Sequence, residues 1–134
     1  MGLEICRRER EGVVLLDLKG RITAGDESAA LRASIEKMER LAGFRLILNM
    51  QGVEYVDSTG LGALVMSATS ARNAKGAVRL LHVNRRNIEL LVMTKIDTIF
   101  EVLDDETDAV NSFFPDREIK RFDILAFVQQ FRDE

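Results

Sequence analysis

The sequence predicts an α/β fold: a mixed, mostly parallel β-sheet with helices packed against it. Short apolar runs alternate with segments whose apolar residues recur every three or four positions, which is typical of strands joined by helical crossovers. The run at 46–48 is continuously apolar, as expected of a strand covered on both faces. The 134 residues, 46% of them hydrophobic, suit a single domain with a substantial core.

The chain opens with a predicted hairpin. Residues 3–10 mix apolar and polar positions in alternation, which predicts an edge strand. Gly12 interrupts this segment, and the apolar run beginning at Val13 predicts a second strand ending near Gly20. Because the turn between them is short, we expect the two strands to be antiparallel.

A helix is predicted next, ahead of the strand at 46–48. Thr23 and Asp26 form an approximate capping box at its start, and Gly43 is a plausible stop. Its apolar residues follow helical spacing: Leu31, Ile35, Met38 and Ala42.

Two more helix–strand units follow. The helix after residue 57 has an apolar stripe made of Leu61, Leu64, Val65 and Ala68. Gly76 ends that unit, and 78–83 predicts a strand. Asn84 is placed to cap a further helix. That helix carries its apolar residues at Ile88, Leu91 and Val92.

The last elements of the domain are a short strand and a helix. Residues 99–103 predict the strand, and the acids at 104–106 suit the first turn of the helix that follows. The inner face of this helix is predicted to consist of Ala109, Val110 and Phe113.

Pro115 marks a predicted boundary between a domain at 1–114 and an extension at 115–134. Residues 116–134 predict one additional C-terminal helix. Its centre, 124–128, is a run of five apolar residues, too apolar for a helix surrounded by water. Two interpretations follow: the helix folds back onto the domain, or it packs against a second chain as a homodimer.

Composition excludes several classes of protein. A net charge of −3 and a pI near 5.3 argue against direct nucleic-acid binding, which favours a basic surface. The single cysteine, Cys6, excludes an intramolecular disulfide and fits a reducing compartment. The sequence shows neither a signal peptide nor an apolar run of the ~20 residues that span a bilayer. We therefore expect a soluble cytoplasmic protein with no membrane partner.

Side chains suited to catalysis are scarce. His82 is the single histidine and falls inside the predicted strand 78–83, where packing or a surface position is the expected role. Nucleophile-elbow and phosphate-loop motifs are missing from the sequence. The acids at 104–106 are assigned to a helix start rather than a metal, and Asp17 is expected to face solvent. The sequence thus predicts no catalytic residue, no metal site and no cofactor.

The stretch 57–62, Asp-Ser-Thr-Gly-Leu-Gly, lies where a predicted strand turns into a helix. Asp57 or Ser58 suits the N-cap position. A cap uses one such side chain, yet Gly60 and Gly62 each cost up to about 1 kcal/mol relative to alanine within a helix. Their small size predicts close approach by another protein to the backbone around Ser58. The free N–H groups of a helix start also suit a phosphate.

This hexamer, after a strand and at the start of a helix, resembles the signature of the STAS domain. It is most similar to that of bacterial anti-sigma factor antagonists. The resemblance covers about residues 3–113, a hairpin followed by alternating helices and strands. It implies the STAS fold with the C-terminal helix as an addition.

The resemblance also implies a phosphorylation switch. In this family the hydroxyl directly after the motif's aspartate is phosphorylated by a partner that is both serine kinase and anti-sigma factor. By position that residue is Ser58, with Thr59 as the secondary candidate. The unphosphorylated form binds the anti-sigma factor and frees the sigma factor, and a metal-dependent serine phosphatase removes the mark. ATP and magnesium belong to the kinase, and the implied partner-binding residues are Asp57, Ser58, Thr59, Gly60, Leu61 and Gly62.

Two other functions compete with the switch. The same fold serves as a non-enzymatic scaffold subunit of the stressosome type, and the 116–134 helix is the feature that would drive such assembly. A small hydrolase is disfavoured, because the sequence offers no nucleophile with a nearby base.

Overall fold

The computed structural model describes residues 2–39, 41–120 and 122–132. The elements follow in this order: β1 (Leu3–Arg10), β2 (Val13–Ile22), α1 (Asp26–Glu39), β3 (Arg45–Val56), α2 (Ser58–Asn73), β4 (Ala77–Leu81), α3 (Arg85–Met93), a 3₁₀ turn (Ile96–Thr98), β5 (Glu101–Leu103), α4 (Glu106–Asn111) and α5 (Ile124–Arg132). Strand and helix therefore alternate after a hairpin, which confirms the predicted α/β class.

The strands form one sheet in the order β1-β2-β3-β4-β5. β1 and β2 are antiparallel, and every other neighbouring pair is parallel, as the sequence predicted. The hairpin turn is made by Glu11 and Gly12, both with positive φ, at 54° and 81°. Positive φ at both central residues defines the type I′ turn, whose twist matches that of paired strands.

Both faces of the central strands are covered. Leu46 and Leu48 of β3 belong to one hydrophobic cluster and Ile47 to another, and all three side chains have no exposed surface. Successive residues of a strand point to opposite faces, so the two clusters lie on the two sides of the sheet. The first cluster contains residues of α1, α2 and α3, and the second contains residues of α4.

The C-terminal extension is helical only in part. The sequence predicted a helix throughout 116–134, but among the described residues α5 begins at Ile124. The physical reason is Asp123, whose carboxylate accepts from the N–H of Ala126 at 3.0 Å and so caps a new helix there. Residues 121, 133 and 134 of this prediction lie outside the described part of the chain.

The extension also passes from one face of the sheet to the other. Ile119 packs against the α4 cluster, whereas Phe122, Phe127 and Val128 pack against the opposite cluster. Residues 122–125 line a cavity together with Glu101 and Val102 of β5, the last strand of the sheet. The interpretation that the extension folds back onto the domain is therefore confirmed.

Three smaller predictions need correction. α1 ends before Ala42, which is exposed. α1 begins at Asp26, so Thr23 does not occupy the N-cap position that the predicted capping box requires. Instead, the hydroxyl of Ser28 donates to the Thr23 carbonyl oxygen at 2.6 Å. β4 ends at Leu81, so His82 lies beyond the strand, where its φ of 54° departs from strand geometry.

A cluster of charges ties the hairpin to α4. Arg8 donates to both carboxylate oxygens of Asp17, at 2.6 and 3.1 Å, and also to Glu106. Arg10 donates to Glu106 at 2.8 Å, and Asn49 donates to Asp17 at 2.8 Å. Asp17, predicted to face solvent, is therefore half-buried and engaged. We call these five residues the Arg8 clamp.

The Arg8 clamp shifts the pKa values of its acids. The guanidinium of Arg8 is the main cause that holds the pKa of Asp17 and that of Glu106 below their ordinary values of 3.8 and 4.5. Because the folded-state pKa values are lowered, the stabilisation is complete above those ordinary values. This stabilisation is lost as the pH falls through the lowered pKa values of the folded state.

Replacing Arg8 with methionine tests the clamp. At pH 7 we expect Arg8→Met to lower the free energy of unfolding by about 1 kcal/mol, a value reduced by solvent screening of these partly exposed groups. The difference from the unmodified protein should shrink as the pH falls below about 4. Urea denaturation of both proteins at pH 7 and at a pH below about 4 measures this difference in the free energy of unfolding. Lys19→Met, at an exposed position of β2, is the control, and an equal effect there would contradict the assignment.

Candidate functional site

Asp57 caps the helix that carries the hydroxyl motif. It precedes α2 in an extended conformation, and its Oδ1 accepts from the N–H of Gly60 at 2.8 Å. This is the N-cap bond to the third helical residue, which satisfies one of the free N–H groups at a helix start. Of the two cap candidates in the sequence, Asp57 fills the role.

The second carboxylate oxygen of Asp57 holds a different segment. Oδ2 accepts from the N–H of Ala24 at 3.1 Å, in the loop between β2 and α1. The backbone N–H of Asp57 donates to the Ile22 carbonyl oxygen at 3.2 Å. These bonds fix the start of α2 to the end of β2. The N–H of Gly60, followed by those of Ala24 and Thr59, lowers the pKa of Asp57 and keeps its carboxyl group ionised.

Gly60 is required by packing within the domain. A Cβ built at this position would lie 1.8 Å from the carbonyl oxygen of Ile22, and Gly60 is buried. The sequence interpretation, which assigned both glycines to clearance for another protein, is therefore wrong for Gly60. Gly62 differs, because it is exposed and a Cβ there meets nothing within 4 Å.

The two hydroxyl residues face outward. Ser58 and Thr59 are both exposed at the first two positions of α2, whereas Leu61 is buried in the core with 8% of its surface exposed. The motif thus divides by face. Asp57, Ser58, Thr59 and Gly62 have surface that another molecule can contact, and Gly60 and Leu61 hold the helix against the sheet.

Sequence reasoning missed a neighbouring pair on the same edge of the sheet. The guanidinium of Arg86 lies 4.8 Å from the ring centre of Tyr55, a cation–π contact between the end of β3 and the start of α3. Tyr55 is the sole tyrosine and 37% of it is exposed. Its position two residues before Asp57 was the available signal.

The start of α3 is fixed to β3 by two asparagines. Asn84 caps α3 as predicted, with its side-chain oxygen accepting from the N–H of Asn87 at 2.8 Å. The side-chain amides of Asn84 and Asn87 both donate to the Val53 carbonyl oxygen, at 3.0 and 3.2 Å. α1, α2 and α3 all begin at the carboxyl ends of the parallel strands, which is a common place for binding sites in α/β proteins.

The other predicted chemistry-bearing residues lie apart from this motif in the fold. His82 follows β4, with Nδ1 3.7 Å from the Asp104 carboxylate. Cys6 is exposed in the middle of β1. Asp105, next to Asp104, caps α4 by accepting from the N–H of Asp108 at 2.9 Å. In the described part of the chain, no group of three acidic, histidine or cysteine residues is placed to hold a metal.

The fold and the motif together define a class: a mixed α/β domain that presents hydroxyls at a capped helix start. A family model described as STAS domain matches residues 4–109. The chain belongs to the STAS domain family. No match was found among curated proteins. Among the described residues, no helix is long and apolar enough to cross a membrane.

Several solved structures share the fold. A candidate anti-sigma factor antagonist from Thermotoga maritima is 20% identical, with a TM-score of 0.74 over 81% of this chain and 92% of that chain. The unphosphorylated form of the anti-sigma factor antagonist SpoIIAA, a cell fate determinant of Bacillus, is 17% identical, with a TM-score of 0.63 over 84% and 99%. The murine anion transporter Slc26a9 is 21% identical, with a TM-score of 0.66 over 77% of this chain and 18% of the transporter. These likenesses establish the fold and show that it also occurs within a transporter.

Alanine at each glycine separates the two roles. We expect Gly60→Ala to lower the free energy of unfolding by about 2 kcal/mol or more, because the new methyl group collides with the Ile22 carbonyl oxygen. At Gly62 the new methyl group meets open space, so Gly62→Ala should raise the free energy of unfolding by up to about 1 kcal/mol, because alanine favours the helix. Thermal and urea denaturation of the two variants measure this, and equal effects would exclude the packing role of Gly60.

Proposed function

We propose that this protein is an anti-sigma factor antagonist that a partner serine kinase switches off by phosphorylating Ser58. The observation that carries the proposal is the position of Ser58. It is exposed at the first residue of α2, directly after the capping Asp57, in a chain of the STAS family. The partner in this proposal is an anti-sigma factor with kinase activity, and both proteins act in the cytoplasm.

The geometry supports a switch by charge. A phosphate on Ser58 adds about −1.5 to −2 charge at one point of the surface. It would stand next to the carboxylate of Asp57, whose pKa is lowered so that it remains negative. A partner surface fitted to a neutral hydroxyl then meets added bulk, repulsion and a desolvation cost. A change of about 3 kcal/mol weakens binding by roughly a hundredfold, enough for a binary response.

The proposed binding surface comprises the exposed part of the motif. Asp57, Ser58, Thr59 and Gly62 supply the contacts, and the buried Gly60 and Leu61 set the position of the backbone between them. Gly62 leaves open space above the helix, so the partner can approach the backbone there. The kinase brings ATP and magnesium, and a metal-dependent serine phosphatase restores the binding form.

Serine variants test the switch. Incubation with the cognate kinase, ATP and magnesium should place one phosphate on Ser58, as read by mass spectrometry. The phosphorylated protein and Ser58→Asp should bind the anti-sigma factor much more weakly than the unmodified protein, with roughly a hundredfold loss for the phosphorylated form. Ser58→Ala should keep binding and accept no phosphate.

Thr59→Ala is the matched control, because it removes the neighbouring exposed hydroxyl and should still accept phosphate on Ser58. Its binding should fall far less than that of Ser58→Asp, since one contact is removed and no charge is added. Phosphate found on Thr59 alone would move the switch by one residue. No phosphate at either position, with unchanged binding by Ser58→Asp, would exclude the switch.

A second candidate function is a scaffold subunit assembled through its C-terminal helix. The observation that favours it is Leu125, a large apolar side chain on α5 that is 68% exposed although the same helix buries Phe127 and Val128 partly against the core. Exposed apolar surface on an otherwise docked helix suits contact with a second copy. The likeness to part of a transporter also shows that this fold can serve within a larger protein.

Leu125→Gln tests the scaffold while leaving the packed face of α5 intact. If α5 assembles copies of the chain, light scattering after size-exclusion chromatography should show a larger species that Leu125→Gln converts to a smaller one. The same substitution at Leu41, which is 52% exposed, is the control. A mass unaffected by Leu125→Gln would remove the support for assembly through α5.

A further inference from the structure

The two outer strands of the sheet, β1 and β5, differ in what lies beside them. At the β5 edge, residues 122–125 of the extension line a cavity together with Glu101 and Val102 of the strand. At the other edge, β1 pairs with β2 on one side, and no strand in the described residues pairs with its outer side. β1 is eight residues long, and Glu4, Cys6, Arg7, Glu9 and Arg10 are exposed along it. Such an edge offers unpaired backbone N–H and carbonyl groups to another strand.

The hairpin determines which backbone groups point outward. Arg10 and Val13 flank a two-residue turn, so they exchange hydrogen bonds as a pair, and even-numbered residues of β1 face β2. The bond from the Arg21 N–H to the Gly2 carbonyl oxygen, at 3.2 Å, agrees with this parity. The odd-numbered residues Leu3, Ile5, Arg7 and Glu9 therefore direct their N–H and carbonyl groups to the open edge.

We propose that a second copy of this chain pairs with this edge, β1 antiparallel to β1, with the two-fold axis at Cys6. In this register Glu4 faces Arg8 of the partner subunit and lies diagonal to Arg10 of the partner subunit. Both arginines are bonded within the Arg8 clamp, but their side chains remain 39% and 42% exposed, so Glu4 can still reach them. Glu4, Arg8 and Arg10 have the same parity and share one face of the sheet. Opposite charges directly across a pair of strands stabilise it. The contact occurs twice by symmetry.

Parity and charge select this register. Facing residues must share parity, because both must direct their backbone groups either toward or away from the new neighbour. An axis at Arg7 would pair Glu4 with Arg10 of the partner subunit, but it would also place the two Arg7 side chains opposite each other at the centre of the ladder. An axis at Ile5 would leave Glu4 facing cysteine and would shorten the ladder. The Cys6 register gives a ladder from Leu3 to Glu9 and two opposite-charge pairs.

Cys6 reports on this register. The even-numbered residues form the non-hydrogen-bonded pairs of the new ladder, whose Cα atoms lie about 4.5 Å apart. That spacing falls within the range of a disulfide, so the two thiols on the axis can be bridged. Diamide is the probe: its N=N group accepts two protons and two electrons from the two thiols and becomes a hydrazine, and one S–S bond forms between the two sulfur atoms.

We expect diamide to convert the full chain to a covalent dimer at low micromolar concentration. The matched control is Cys6→Ser combined with Glu9→Cys, which moves the thiol to another exposed position of β1. In the proposed register this thiol lies roughly 20 Å from its copy, six residues along the strand, so cross-linking should be at least tenfold slower. Equal rates for the two proteins would overturn the register.

A backbone test complements the cross-link. Arg7→Pro removes an outward N–H but no bond to β2, and proline is accepted at such edge positions. Sedimentation of the reduced proteins should show a dimer whose dissociation constant rises by about tenfold or more in Arg7→Pro, since two hydrogen bonds are lost by symmetry. Arg7→Ala removes the same side chain and should dimerise as before. A monomer at all concentrations, or a dimer unaffected by Arg7→Pro when circular dichroism shows a folded chain, would overturn the proposal.

Discussion

The approach of Gly60 to the Ile22 carbonyl oxygen is the contact on which the motif depends. It brings the start of α2 against the end of β2 at a distance that no other residue type permits. Asp57 then bridges the two segments by accepting from Ala24 and Gly60. Both the absence of a side chain at Gly60 and the two hydrogen bonds accepted by the Asp57 carboxylate hold the start of α2 against the end of β2. The backbone at Ser58 is therefore fixed in position. The exposure of Ser58 follows from this packing.

The local parts of the fold could be predicted from the sequence. The apolar run at 46–48, the hairpin around Gly12 and the Asn84 cap each depend on residues within a few positions of one another. The Arg8 clamp could not be predicted in this way, because Arg8 and Glu106 are 98 positions apart and meet only across the finished sheet. The same reason explains the misassigned Gly60, which lies in α2, since its neighbour Ile22 lies at the end of β2, far away in the sequence.

In the candidate site, too, features that depend on neighbouring residues could be predicted, and features that depend on distant residues could not. The motif at 57–62 marked Ser58 and Thr59 from sequence alone, because a run of hydroxyls and glycines at a strand-to-helix turn is a local pattern. Which motif residues face outward depends on how α2 packs, and that required the structure. The Arg86–Tyr55 contact joins residues of two different strand–helix units, so no spacing rule indicates it.

The hydrogen bonds of Asp57 at the start of α2 also determine how a phosphate on Ser58 would act. A helix start normally offers free N–H groups that can bind a phosphate of the same chain. Here Asp57 already accepts from the N–H of Gly60 with its carboxylate and from the N–H of Leu61 with its carbonyl oxygen. A phosphate on Ser58 therefore finds these donors occupied, and the adjacent carboxylate repels it. It would remain directed outward as a charge for a partner to meet, so the proposed switch would act by repulsion and not by refolding of α2.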